Sequence, residues 1–543
     1  MTKHLLLTTI LSLGLSAGLS TPVWADKHPV SGEELAANQT YTYWMLDSIK
    51  SIDPNLATSV EDSDVIRSLV EGMYNEDATG ALVPAGALSY ELSADLTTYT
   101  FKLRPEAKWS NGDPVVAGDY VYGWQRLIDP ATASEYAWYM ELMQVANAGA
   151  ITRGEVPASE LGVKAIDDLT LEVRIEAPLP YFPKMLSHTS TYPINKKAID
   201  QFGAEWTKPG NFIGNGAYVL TEHLVGEKIV MEKSPTYWDA ANVIMTKVTG
   251  LTINDENAAW TRWVAGELDR STVPSGQFPR LSAEYPDEVS SNPSACSYTY
   301  VINGAEGKGN AALQDVRVRK ALSYAIDRNI VIDNILQAGQ IPAYSWTPGA
   351  MDGFTVPVTD YSTWTQDERN EKAKALLAEA GYGPDKPLTF TLNYNTSEGH
   401  QKIAVAIQQM WKQTLGVEMT PQNFEWAVHT DKLASGDFEM ARYAWCGDYN
   451  EASTFLDLWT SYSGNNDAKY ANPDYDKLMK DAKTMADPNP NYTAAEVILA
   501  ADMPIIPIYH YTQVRVVRKD IKGLPTTNVL NVWYAKNLYR VAE

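Results

Sequence analysis

The sequence predicts an α/β protein of at least two lobes. Three observations predict this. The chain has 543 residues, far above the roughly 100–200 of a single domain. Segments with the two-residue period of strands interleave with segments of helical period. Neither a repeat of solenoid length nor a low-complexity linker interrupts them.

Taken in chain order, the N-terminus sets the compartment. Lys3 and His4 precede an apolar run from Leu5 to Leu19, and Val23-Trp24-Ala25 follows as a small-residue exit. A charged head, an apolar body short for a bilayer span and an A-x-A-like cleavage site read as a secretory signal over residues 1–25. The alternative, an uncleaved anchor, is disfavoured by the Gly and Ser diluting the run. No Cys near the exit offers a lipid attachment point, and no later segment is long and apolar enough to cross a membrane. The mature protein is expected free in the periplasm of a Gram-negative bacterium, without stable membrane insertion.

Residues 99–104 and 170–176 alternate polar and apolar side chains, as half-buried strands do. Residues 388–394 and 505–518 repeat the pattern. A helix is expected from Asp315, with Val318, Leu322, Ala325 and Ile326 on one face, breaking at 327–329 and resuming to Gly339. A second runs from Asp367 to Ala380 and stops at Gly381. A third, His400 to Leu415, gathers Ile403, Ile407, Met410 and Trp411 and stops at Gly416. This 300–420 region reads as part of one compact α/β lobe.

The formal charge is −23, and loss of Lys3 with the signal makes it one unit more negative. Such acidity repels nucleic acid and anionic lipid and argues against both as partners. Two cysteines, Cys296 and Cys446, are present. In an oxidising compartment an isolated pair most simply forms one disulfide. No His lies at ligand spacing from either, so no metal is expected, and no cofactor motif appears. The G-x-S-x-G at Gly14–Gly18 lies in the signal, without the strand–turn–helix context of a nucleophile elbow. No catalytic constellation is legible, and no enzyme is expected.

The informative stretch is 438–461, where Arg442, Trp445, Cys446, Asp448 and Asn450 crowd around a turn at Gly447. An Asp beside a disulfide is a carboxylate on a rigid mount, suited to a ligand cation in a desolvated cleft. A solvated loop Asp beside a structural cystine is the plainer alternative, and the chemistry alone favours it.

This stretch resembles the signature of the periplasmic oligopeptide-binding proteins, family 5 extracellular solute-binding proteins that feed ABC transporters. Further short motifs match in the same order: Ser51-Ile-Asp-Pro54, Trp124-Gln-Arg-Leu127, Asn215-Gly-Ala-Tyr218, Asp315-Val-Arg-Val-Arg319, Tyr394-Asn-Thr-Ser397 and Lys536-Asn-Leu-Tyr539. The cysteine pair also falls where the family's disulfide falls. The resemblance implies a type II-like periplasmic-binding-protein fold enclosing its ligand between lobes. Lobe I would comprise 26–70, 194–297 and 514–543, an extra subdomain 71–193, and lobe II 298–513.

The resemblance also implies roles. Asp448 would pair with the ammonium of a short peptide, and Ala444 and Cys446 would offer backbone groups. Tyr136 and Val60 match positions at the ligand backbone, and Trp426 and Trp445 match pocket aromatics, ordinary core being the alternative for each Trp. Arg442 and His400 match positions that meet the peptide's carboxylate, although a lone His is more often a polar surface residue. Leu336 stands where the family has a lysine that reaches longer peptides, and Thr58 where it has a pocket glutamate; both departures point to shorter peptides. The partners implied are a short peptide and a membrane ABC permease, with the receptor a monomer. Three competing expectations are the same fold holding a murein peptide or another cationic or zwitterionic solute, a secreted hydrolase, and a chaperone-like binder.

Overall fold

The computed structural model describes residues 27–542. The expected signal segment and its G-x-S-x-G lie outside them.

One eleven-stranded sheet organises the molecule. At one end Glu418–Phe424, Thr389–Asn395 and Met440–Cys446 lie side by side. At the other end Thr40–Met45, Lys247–Thr252, Lys228–Lys233 and Tyr218–Leu224 do the same. Two long antiparallel strands, Val289–Ile302 and Ile505–Val517, join the ends. Their register shifts between Pro293 and Ser297 and again between Tyr298 and Thr299. One hydrophobic core packs the first end, around Leu392, Ile407, Trp411 and Met440. A separate core packs the other, around Tyr41, Tyr43, Ile229 and Trp533. A smaller antiparallel sheet of Ala87–Leu92, Thr98–Leu103, Thr170–Arg174 and Val163–Asp167 stands apart. The alternating segments near 99 and 170 pair with each other there.

The predicted helices form for the reasons expected. Asp315 caps Val316–Tyr324 by accepting the Arg317 N–H at 2.9 Å. Thr365 and Glu368 form a capping box on Gln366–Glu379, and Gly381 follows with φ +86°. Glu398–Leu415 starts from Ser397 and ends at Gly416 in the left-handed region. The chain after 329 differs from expectation: it makes a short π-type stretch, Ile330–Leu336, ending before Gly339. The cause is Gln337, which takes φ +58° and returns its N–H to the Ile332 carbonyl at 2.7 Å. The Thr389–Asn395 strand is also buried more fully than its alternation implies. It lies between two parallel neighbours with the Glu398–Leu415 and Trp426–Ser435 helices packed on it, so its polar alternates Asn393 and Asn395 are enclosed as well.

Candidate functional site

The site grows from the Met440–Cys446 strand. Every residue of it pairs with Val289–Ile302, but only Met440 and Ala441 pair with Thr389–Asn395 on the other side. From Arg442 onward that second edge is open. The Gly447 N–H donates to the Ala295 carbonyl at 2.9 Å, which marks 295/447 as a hydrogen-bonded pair. Antiparallel pairing alternates, so Arg442, Ala444 and Cys446 occupy non-bonded positions and aim their N–H and C=O groups at the open edge. The Arg442 carbonyl there meets His429 Nε2 at 3.0 Å. Cys296 and Cys446 face each other in one such non-bonded pair, Cα atoms 4.0 Å apart, and are disulfide-bonded.

The open edge borders a cavity of about 450 Å³ between the two ends of the large sheet. Val60, Tyr136, His400, Trp426, Arg442, Ala444, Trp445, Cys446 and Asp448 all line it, as do Thr58 and Leu336. The structure thus brings together every ligand-contact position named from the sequence, from segments hundreds of residues apart.

Asp448 is no solvated loop carboxylate: its side chain is 8 % exposed. Oδ1 accepts from the Tyr136 hydroxyl at 3.4 Å and lies 3.5 Å from His188 Nε2. Oδ2 has no partner among the described residues. Burial pushes the carboxyl up to about 8, the Tyr136 hydrogen bond only partly offsetting it. His188 brings no charge, because burial drives it down to about 3. Its Nδ1 takes the Ser190 N–H at 3.4 Å, which leaves the proton on Nε2, facing Asp448. The carboxyl is therefore oriented, and without a cation beside it burial favours its neutral form.

Several other polar groups lining the cavity also carry atoms with no partner among the described residues. Arg442 donates to Asn395 Oδ1 at 3.2 Å and to the Tyr511 hydroxyl at 2.8 Å, yet its Nε is unpartnered. His400 is 8 % exposed, not a surface residue; burial, with Arg442 beside it, holds it far below its ordinary value, and Nε2 has no partner. Thr58 Oγ1 and the indole N–H groups of Trp426 and Trp445 are also unpartnered. Buried polar groups are ordinarily paired, so a cluster around one cavity marks where a polar ligand sits.

Sequence reasoning missed His188, Asn395, Tyr511, Asp47 and Glu61. Asn395 lay within a matched motif and could have been singled out; nothing local marks the others. Ser190, His188 and Asp448 form a line that looks like a hydrolytic triad. It runs the wrong way: the carboxylate faces the cavity, while Ser190 is 1 % exposed and does not line it.

The family described as bacterial extracellular solute-binding proteins, family 5 Middle, matches residues 81–467. The periplasmic oligopeptide-binding protein OppA of Salmonella typhimurium is 42% identical over 542 residues, 99% of this chain and 98% of that protein. Haemophilus influenzae OppA in complex with RPPGFSPFR superposes with a TM-score of 0.90 at 38% identity, covering 94% of this chain and 100% of that one. The Escherichia coli murein tripeptide binding protein MppA, 42% identical, gives 0.91 over 94% of this chain and 100% of that one. Its unliganded open form, with 94% and 99% covered, gives only 0.66. The lobes here therefore stand as they do in the peptide complex and not as in that open form.

Proposed function

We propose, from the premise that this chain belongs to the family 5 bacterial extracellular solute-binding proteins, that it captures short peptides in the periplasm and delivers them to an ABC import permease. It does so as a receptor and not as an enzyme, exported through cleavage after Ala25 and acting as a monomer. The carrying observation is the Asp448 carboxylate, buried and oriented beside an open strand edge but lacking a cation. A peptide supplies what this arrangement lacks. Its ammonium pairs with Asp448, and its backbone adds to the edge at Ala444 and Cys446 as an extra strand. Its carboxylate meets Arg442, with His400 close by. Tyr136 and Val60 flank the backbone, and Trp426 and Trp445 wall the side-chain space. Leu336 puts an apolar group where a longer ligand would need a charge, which supports a preference for short peptides.

We assign lobe I to 26–70, 194–297 and 514–543, its extra subdomain to 71–193, and lobe II to 298–513. The strand crossings between them then fall at Ser297–Tyr298, between the two register shifts of Val289–Ile302, and at Gln513–Val514, a residue beyond them, so an interrupted ladder that bends easily lies next to both. Small-angle scattering tests the trap directly. The ligand-stripped protein should contract when a tripeptide is added. Binding heat without contraction would overturn the hinge, and absence of binding would overturn the peptide. The likeness to the murein tripeptide binding protein supports a second reading, in which the peptide is a cell-wall one.

A further inference from the structure

The cavity holds more acidic groups than a simple zwitterionic peptide can pair. Five carboxylates line it, Asp47, Glu61, Asp64, Glu256 and Asp448, against two arginines, Arg67 and Arg442. His188 and His400 add no charge, since burial keeps both neutral. Asp64 is paired with Arg67 at 3.0 Å. Glu256 accepts the Ser275 N–H at 2.9 Å and its hydroxyl at 3.0 Å. A peptide's ammonium and carboxylate then account for Asp448 and Arg442. Asp47 and Glu61 are left over.

Neither group forms an ion pair with a cationic side chain among the described residues. Asp47 is 6 % exposed; Oδ2 takes the Asn395 amide at 3.4 Å, and Oδ1 has no partner among the described residues. Asn395 stands between it and Arg442, which donates to the far side of that amide at 3.2 Å. Arg442 eases the burial of Asp47 from a distance, while Glu425 opposes it. The charges that act most strongly on Glu61 are other carboxylates, Asp47, Asp64 and Asp62, and each raises it.

The two groups are also held in place. Glu61 sits in the first turn of Val60–Leu69, whose N-cap Ser59 accepts from the Asp62 N–H at 3.0 Å. The Asp62 carboxylate in turn accepts the N–H groups of Lys50 at 2.9 Å, Ser51 at 3.3 Å and Thr58 at 3.3 Å. That ties the loop carrying Asp47 to the helix carrying Glu61, so their separation is set before a ligand arrives.

We propose that Asp47 and Glu61 form an acidic subsite, distinct from Asp448, that receives a basic side chain of the bound peptide. The inference rests on the peptide reading and narrows its ligand class to peptides carrying an ammonium or guanidinium side chain. Burial, mainly, raises Asp47 to about 7 and Glu61 to about 8, so an arriving cation is met by groups that ionise in response.

The test is calorimetry on the ligand-stripped mature protein with tri-alanine and its derivatives bearing lysine or norleucine at each position. At one position lysine should bind about tenfold or more tighter than norleucine. In the Asp47→Asn, Glu61→Gln double variant that preference should vanish, while the norleucine peptides bind as before. Their binding also shows that the variant is folded. Equal affinity of lysine and norleucine at every position overturns the subsite, as does a lysine preference that survives the double substitution. If no peptide binds the unsubstituted protein, the peptide reading itself fails and the subsite falls with it. Norleucine peptides that bind without lysine preference leave that reading standing and remove only the subsite.

Discussion

Replacing Asp448 with Asn removes the charge while keeping the shape, and the structure gives the size of the effect. The carboxyl is raised from 3.8 to about 8 in the closed cavity, chiefly by burial. At about 1.4 kcal/mol per unit, the buried carboxylate is on the order of 6 kcal/mol less favourable than in water, and ionising the resting acid at neutral pH costs about 1.4 kcal/mol. A ligand ammonium offsets that cost and gains the ion pair. In the variant the cost disappears, but the ammonium is stranded. Breaking one half of a buried pair typically costs about 3–5 kcal/mol, or two to nearly four decades in Kd. The assay is a double cycle by calorimetry: parent protein and Asp448→Asn, each with a tripeptide and its N-acetyl form. Acetylation should weaken binding to the parent by a comparable amount and hardly change binding to the variant. An acetylation penalty equal in both proteins would refute the assignment of Asp448, as would equal affinity of both for the free tripeptide.

Three further predictions follow from neighbouring groups. Amidating the C-terminus of a tripeptide should cost the parent about 2 kcal/mol or more and the Arg442→Gln variant almost nothing; the same calorimetry measures both. Replacing Cys296 and Cys446 with Ser opens a loop of 150 residues, and urea unfolding should show a loss approaching about 5 kcal/mol, the chain-entropy upper value. Asp457 is 1 % exposed with both carboxylate oxygens unpartnered among the described residues, and burial raises it from 3.8 to about 6. A raised carboxyl favours the fold below about pH 4 and loses that contribution as pH rises through 6. Asp457→Asn should therefore gain stability relative to the parent between those pH values, by at most about 3 kcal/mol, and thermal melts across the range should show it.

What the sequence reveals divides along physical lines. The helices expected from Asp315, Asp367 and His400 were legible because Asp315, Gly381 and Gly416 act within a few residues; the caps Thr365 and Ser397 start the last two slightly earlier, at 366 and 398. Gln337 was not, since a left-handed glutamine carries no compositional mark. Asp448 could be placed beside Cys446 because the two are neighbours in the chain. Its environment could not, because Tyr136 is 312 residues away. The same holds for Asp47 and Asn395, 348 residues apart and joined across the cleft. The open edge of Met440–Cys446 is a property of the sheet order, which no local pattern encodes. Resemblance to the family supplied the site residues; the structure supplied their shared cavity, the uncompensated charges and the direction in which the strand presents its backbone.

The central claim is that this cavity holds short peptides. It is tested most directly by native mass spectrometry of the protein released from the periplasm with its ligand in place, followed by fragmentation of what it carries. The expected cargo is a mixture of short peptides with free amino termini, enriched in lysine and arginine. A single homogeneous non-peptide species would contradict it.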